Sequence, residues 1–153
     1  MKIKLQTREE FEERIGTVFF ESTPQTIDKT QVQAYCRSLN QLDWFHFDEA
    51  RSEAAGFGGV IAPGSFTFGL VHSTFFGHVE LVDLKALFVG SDRFRVHRPL
   101  NAGEAISLMM QITTVEERTE GFRVQYDFRW HGENDQDTIS EGTFLVRYWP
   151  LSD

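Results

Sequence analysis

Residues 56–78 read GFGGVIAPGSFTFGLVHSTFFGH: a glycine-rich loop running into Pro63-Gly64, then an uncharged apolar segment from Ser65 to Phe76. A helix that is apolar on all sides has no solvent face and must be enclosed. The segment is too short, and too interrupted by Ser, Thr and Gly, to span a bilayer, which takes about 20 apolar residues. The strand-rich second half of the chain is the candidate enclosure. The loop before the segment would leave backbone N–H groups free at the helix entrance, where a polarised oxygen or anion can bind.

Downstream the pattern changes to period two. Phe122, Val124, Tyr126, Phe128 and Trp130 alternate with Arg123, Gln125, Asp127 and Arg129, which predicts a half-buried strand. Further strands are expected over Leu87–Arg98, Glu104–Val115 and Thr138–Trp149, with turns at Asn101-Ala102-Gly103 and at 131–135. Upstream, TREEFEER from Thr7 to Arg14 predicts a short helix with Thr7 as N-cap and Glu10 closing a capping box. Thr17–Ser22 is a first strand. Asp28 or Thr30 caps a helix to about Leu39, with Val32, Tyr35, Cys36 and Leu39 on one face. Asn40–Phe47 has no clean period and reads as an ordered loop, and Asp48 starts a short helix ended by Gly56.

One strand, then helices, then four strands joined by short turns gives an antiparallel sheet. The expected architecture is α+β: a five-stranded antiparallel sheet wrapped around a central apolar helix at about 64–77, the hot-dog arrangement. The 153 residues suit a single domain over 1–153. A net charge of −8 argues against nucleic acid as a partner. Cys36 is the single cysteine, so no intramolecular disulfide or thiolate metal cluster is expected. His72 and His78 have no Cys or carboxylate cluster near them, and no metal is expected. The charged N-terminal stretch lacks an apolar core, so no signal peptide is read and a cytoplasmic location is expected.

Three blocks carry a resemblance. Tyr35–Ala50 (YCRSLNQLDWFHFDEA), Phe57–Gly64 (FGGVIAPG) and Phe94–Glu104 (FRVHRPLNAGE) resemble, in order and spacing, the MaoC-like dehydratase family, which includes the (R)-specific enoyl-CoA hydratases and has a hot-dog fold. The resemblance implies reversible hydration of a 2-enoyl thioester or dehydration of a 3-hydroxyacyl thioester. His46 stands at the family's catalytic His position, and Gly64 supplies its helix-terminal N–H. The chain also departs from the pattern. Gln41 occupies the position of the catalytic Asp, Asp43 a position that is usually Asn or Gln, and Pro63 that of the signature His.

Such hydration needs a base to activate water, an acid for C2, and a donor to stabilise charge on the carbonyl oxygen. His suits the first role. Gln41 can hold a water but cannot exchange a proton as a carboxylate does. Asp43, three residues before His46, would meet it on a helical turn. His46 read alone is also compatible with a core histidine satisfied by a backbone carbonyl, and Asp48 with a plain N-cap. Gly58 and Gly59 could border the ligand or simply form a turn. Arg93, Arg95 and Arg98, with His97, form the densest basic run. They would contact the phosphates of coenzyme A or of a carrier protein's phosphopantetheine, or lie on a solvated strand face. No separate cofactor is expected, because coenzyme A or phosphopantetheine belongs to the substrate. The expected partners are an acyl-CoA or acyl-carrier-protein thioester and a second copy of the chain, because one sheet leaves exposed edges. Two other readings stay open: a thioester-binding protein without turnover, and a structural subunit pairing with an active paralogue.

Overall fold

The computed structural model describes residues 1–151. The elements in chain order are β1 (Ile3–Leu5), α1 (Arg8–Glu12), β2 (Val18–Glu21), β3 (Gln25–Thr26), α2 (Lys29–Ser38), a one-turn 3₁₀ helix (Trp44–His46), α3 (Glu49–Ala54), α4 (Phe66–His78), β4 (Val79–Leu81), β5 (Leu84–Gly90), β6 (Arg95–Val96), β7 (Ala105–Arg118), β8 (Gly121–His131) and β9 (Thr138–Pro150). The main sheet runs β2-β7-β8-β9-β5, its neighbours antiparallel. β3 adds to β7 and β6 to β9. The hot-dog expectation holds: β7, β8 and β9 turn Met110, Tyr126, Phe128, Trp130, Phe144 and Tyr148 inward, and α4 packs there through Phe66, Val71 and Phe75. Burying each of these aromatic side chains contributes on the order of 1.5–3 kcal/mol.

Local chemistry sets the helix boundaries. Thr7 Oγ1 accepts from Glu10 N while the Glu10 carboxylate accepts from Thr7 N, completing the capping box of α1. Asp28 caps α2, accepting from Gln31 N at 2.7 Å. At its other end Asn40 is left-handed (φ 55°). Gln41 N donates to Cys36 O at 2.9 Å and Asn40 N to Arg37 O at 3.1 Å, a Schellman stop with asparagine in the glycine position.

Three expectations need correction. The strand expected over 87–98 is two strands, β5 and β6. Between them Ser91–Phe94 leaves the ladder, Arg93 is left-handed (φ 57°), and pairing with β9 resumes at Arg95↔Glu141. Gly142 opens the space for this: a Cβ there would stand 3.0 Å from Phe94 Cα and 3.2 Å from the Phe128 ring. The central helix is also not enclosed on all sides, since Gly69, His72, Ser73 and Gly77 are exposed. Residues 2–5, read as part of a charged N-terminus, instead place β1 parallel to β4. Among the described residues no helix is long and apolar enough to cross a membrane.

Candidate functional site

A cavity of about 310 Å³ opens where the 3₁₀ turn, the entrance of α4 and the segment after β6 converge. Its wall includes Gln41, Phe45, His46, Gly64, Thr67 and His97. The Schellman stop aims Gln41 here. The next residues, Asp43 to Phe47, close a 3₁₀ turn through His46 N to Asp43 O (3.1 Å) and Phe47 N to Trp44 O (3.0 Å).

That turn is clamped to the stretch before α4. Ile61 N donates to Phe45 O at 3.0 Å, and His46 Nδ1 lies 2.6 Å from Ile61 O. A carbonyl only accepts, so Nδ1 carries the proton and the bond fixes the tautomer. On its other side the same stretch is laced by Ala62 N to Leu100 O (2.8 Å) and Ala102 N to Val60 O (2.9 Å). Gly58 (φ +75°) and Gly59 (φ +131°) make the reversal that feeds it, at backbone angles L residues rarely adopt. His46 is therefore held from two sides, 2% exposed, with a buried Nε2 that finds no partner among the described residues. The core-histidine reading accounts for one ring nitrogen and leaves the other open.

At the helix entrance Phe66 N donates to Pro63 O at 2.9 Å. The Gly64 N–H has no acceptor among the described residues, and Gly64 lines the cavity. Ser65 does not cap α4; its Oγ lies 2.8 Å from Tyr35 Oη. One turn in, Thr67 Oγ1 pairs with Ser140 Oγ at 2.8 Å, and Thr67 O accepts from Trp130 Nε1 at 2.8 Å, tying α4 to β8 and β9.

The structure thus brings Gln41, His46 and Gly64 together and leaves Asp43 out. The 3₁₀ turn joins Asp43 to His46 through the backbone, but the Asp43 carboxylate is exposed and off the cavity wall. Asp48 caps α3, accepting from Arg51 N at 3.0 Å. Among the described residues no carboxylate lines the cavity.

The basic run divides. Arg98 reaches the cavity wall but is gripped by Asp137 (Nε–Oδ1 2.8 Å, Nη2–Oδ2 2.7 Å) and Glu104 (Nη1–Oε2 3.0 Å, Nη2–Oε1 3.0 Å). These bonds raise the Arg98 pKa, Asp137 contributing most, and the guanidinium in turn holds the Asp137 carboxyl below its ordinary value. Arg93 and Arg95 line a second groove, of about 470 Å³, with Phe94, Met109, Arg129 and Glu141. Arg93 there lies 3.8 Å from Asp127. Burial raises the Cys36 thiol and lowers the His72 imidazole, and both lie off the cavity wall. Among the described residues no group of three or more His, Cys, Asp or Glu side chains could hold a metal ion.

Reading along the sequence missed Phe45, Thr67 and His97 as wall residues. Thr67 is hidden in an apolar run, and His97 in a basic one. The available signal was that both flank motif glycine or proline positions, Gly64 and Pro99.

The family described as FAS1-like, dehydratase domain region, matches residues 13–127. No curated protein matches the chain. Among solved structures, an R-hydratase from Pseudomonas aeruginosa in its unliganded form is similar at TM-score 0.70 and 15% identity, covering 89% of this chain and 88% of that one. A MaoC-like dehydratase from Rhodospirillum rubrum is similar at TM-score 0.70 and 15% identity, covering 88% and 92%. A C-terminally truncated HadBC (3R-hydroxyacyl-ACP dehydratase) complex from Mycobacterium tuberculosis is similar at TM-score 0.67 and 23% identity, covering 82% and 90%.

Proposed function

The chain belongs to the MaoC-like hot-dog family, whose matching description is a dehydratase region, and from that premise we propose that it hydrates 2-enoyl thioesters and dehydrates 3-hydroxyacyl thioesters. The observation that supports the reading is His46: it lines the cavity, its Nδ1 is committed to Ile61 O, and its buried Nε2 has no partner among the described residues. An imidazole in that tautomer is a base at Nε2, able to take a proton from water as oxygen adds to C3. The Gly64 N–H, at the entrance of a 13-residue helix, is the donor for the thioester oxygen as charge develops on it. Gln41 orients the water through its amide, where the family places an Asp.

The substrate's coenzyme A or phosphopantetheine phosphates fit Arg93 and Arg95, which border the groove on the far side of β6 from the cavity. Arg98 serves the frame, because its donors already serve two carboxylates. β5 ends the main sheet with Leu87 (57% exposed) and Val89 (48%) outward, a surface fit for a second copy of the chain.

The test is loss of conjugated-enoyl absorbance on mixing the protein with crotonyl-CoA and a longer 2-enoyl-CoA. His46→Ala is expected to lower turnover by about 10²–10⁴-fold. Turnover unchanged in that variant would overturn the assignment. One observation favours a second reading, a thioester-binding protein without turnover: among the described residues the cavity wall holds no carboxylate. Thermal stabilisation by crotonyl-CoA without absorbance loss would select it. Neither binding nor turnover would point to a structural subunit.

A further inference from the structure

The cavity reaches only the start of α4: its lining on that helix ends at Thr67, the second residue. Leu100 (3% exposed) and Ile139 (1%) give it a buried apolar wall, suited to an acyl chain. Thr67 is tied to Ser140 and Trp130, both fully buried, which shuts the side toward the sheet. The remaining way on is along α4, past the segment that leads into β6.

Phe94 stands in that way. Val96, on the cavity wall, has its Cγ2 3.5 Å from where a Cβ on Gly64 would lie. Two residues earlier, the Phe94 ring lies 5.0 Å from Phe68, one helical turn beyond Gly64. Two extended residues span about 6.6 Å and a helical turn about 5.4 Å, so Val96 and Phe94 meet successive turns of the α4 end. The Phe94 ring also packs on Phe128 at 6.2 Å, in space that Gly142 leaves open: a Cβ there would stand 3.0 Å from Phe94 Cα. The segment is pinned in place. Asp92 N donates to Thr143 Oγ1 at 2.6 Å, while Thr143 N (3.1 Å) and Oγ1 (2.8 Å) donate to Asp92 O. The interruption at 91–94 thus seats a phenyl ring between α4 and the sheet, next to the cavity's end.

We infer that Phe94 ends the acyl site, and that the substrates are short 2-enoyl and 3-hydroxyacyl thioesters, of about four to six acyl carbons. This rests on the hydratase reading above. At about 30 Å³ for each water-sized group, a cavity of about 310 Å³ holds about ten. The carbonyl oxygen, the sulfur and the attacking water take part of that, and about six acyl carbons fill the rest. Each methylene beyond the end of a shaped apolar pocket costs about 10–200-fold in kcat/KM. Phe94 is 36% exposed, so its ring can be cut back without hollowing the core.

The experiment measures kcat/KM of wild type, Phe94→Ala and Phe94→Leu on crotonyl-, 2-octenoyl- and 2-dodecenoyl-CoA. It adds the shift in Tm of each protein with butyryl- and dodecanoyl-CoA, which lack the double bond and do not react. Wild type is expected to favour crotonyl- over 2-octenoyl-CoA by about 10–200-fold or more, and to be stabilised more by butyryl- than by dodecanoyl-CoA. Phe94→Ala should raise the ratio of 2-octenoyl to crotonyl turnover by about tenfold or more. Phe94→Leu should fall between, and it answers the question if Phe94→Ala melts early. A wild type that takes 2-dodecenoyl-CoA as well as crotonyl-CoA would overturn this inference and leave the hydratase reading standing. So would a folded Phe94→Ala variant with the wild-type ratio, for Phe94 as the residue that sets the limit. Stabilisation by butyryl- over dodecanoyl-CoA without any turnover would overturn the hydratase reading and support the length limit. Neither turnover nor stabilisation would overturn both.

Discussion

Removing the Arg98 guanidinium while keeping its apolar stem, as in Arg98→Met, should destabilise the fold without emptying the site. Five N–H···O contacts of 2.7–3.0 Å would be lost, four to carboxylates and one to Pro99 O, and Asp137 and Glu104 would be left facing one another. Two limits bracket the loss. Breaking a fully buried pair costs about 3–5 kcal/mol, and a fully exposed one about 0.2–1 kcal/mol. Arg98 is 28% exposed, Glu104 32% and Asp137 40%, so water partly screens the cluster. That places the loss at about 2–3 kcal/mol, between those limits. For a chain of this length it is a fall in Tm of about 4–12 °C. The Asp137 carboxyl is depressed below its unfolded value of 3.8 by Arg98, so its contribution is present above that value and lost as pH falls through the lower folded value. Urea unfolding should therefore show the full gap between wild type and variant at pH 7, and a gap that shrinks as the pH falls below the unfolded value of 3.8 and through the lower folded one. An Arg98→Met loss under about 1 kcal/mol at pH 7, or a gap that persists in acid, would refute the reasoning. A rise in KM for crotonyl-CoA without a change in stability would return Arg98 to phosphate binding.

Two further outcomes follow from single positions. Gln41→Asp puts a carboxylate back on the cavity wall beside His46 and should raise kcat on crotonyl-CoA by about tenfold or more; a fall would mean that the amide is the better water holder. Gly121→Ala aims a Cβ to within 2.0 Å of the Tyr148 carbonyl oxygen, so it should cost about 1–3 kcal/mol or more, read as a lowered urea midpoint with unchanged slope.

The sheet was legible because its strands obey one rule: β8 alternates without a break, and each inward residue from Phe122 to Trp130 is buried. The 91–94 interruption was not, because Arg-Phe-Arg-Val keeps strand alternation while Gly142, about fifty residues later in sequence, makes room for the crossing. The open side of α4 was hidden for a related reason. Gly69, Ser73 and Gly77 are small and uncharged, yet small residues at that spacing leave little surface to bury. At the site, the residues found by motif were those whose backbone the motif constrains: His46 through Ile61, and Gly64 through the helix entrance. Asp43 was placed by side-chain periodicity alone. Its ψ of 141° shows why that failed, since it precedes the 3₁₀ turn in extended backbone and its carboxylate leaves on the solvent side. His97 escaped because it was read with Arg95 and Arg98 as part of a basic run, whereas its place on the wall is set by β6–β9 pairing.

The entrance of α4 shows how a helix with no side-chain cap can still be well placed. Ser65 has the residue type of an N-cap but sits in helical backbone (φ −74°, ψ −13°), where a cap would be extended. Its hydroxyl is drawn to Tyr35, and the Tyr35 ring packs edge-on against Phe66 at 5.2 Å. Pro63 contributes a carbonyl to Phe66 N and has no N–H of its own to satisfy. The helix start is thus secured by a phenol, a proline carbonyl and the Thr67–Ser140 pair, none of which accepts from Gly64 N. An Asp or Ser cap would hydrogen-bond to the N–H groups of the first turn and set an oxygen, or a charge, at the helix entrance, where the proposed hydratase would need to seat its thioester carbonyl. Holding the helix from its sides instead leaves Gly64, its N–H without an acceptor among the described residues, on the wall of the same cavity as His46. The cost is an uncapped end, on the order of 0.5–2 kcal/mol, and the gain is a donor that needs no rearrangement as the carbonyl oxygen gathers charge.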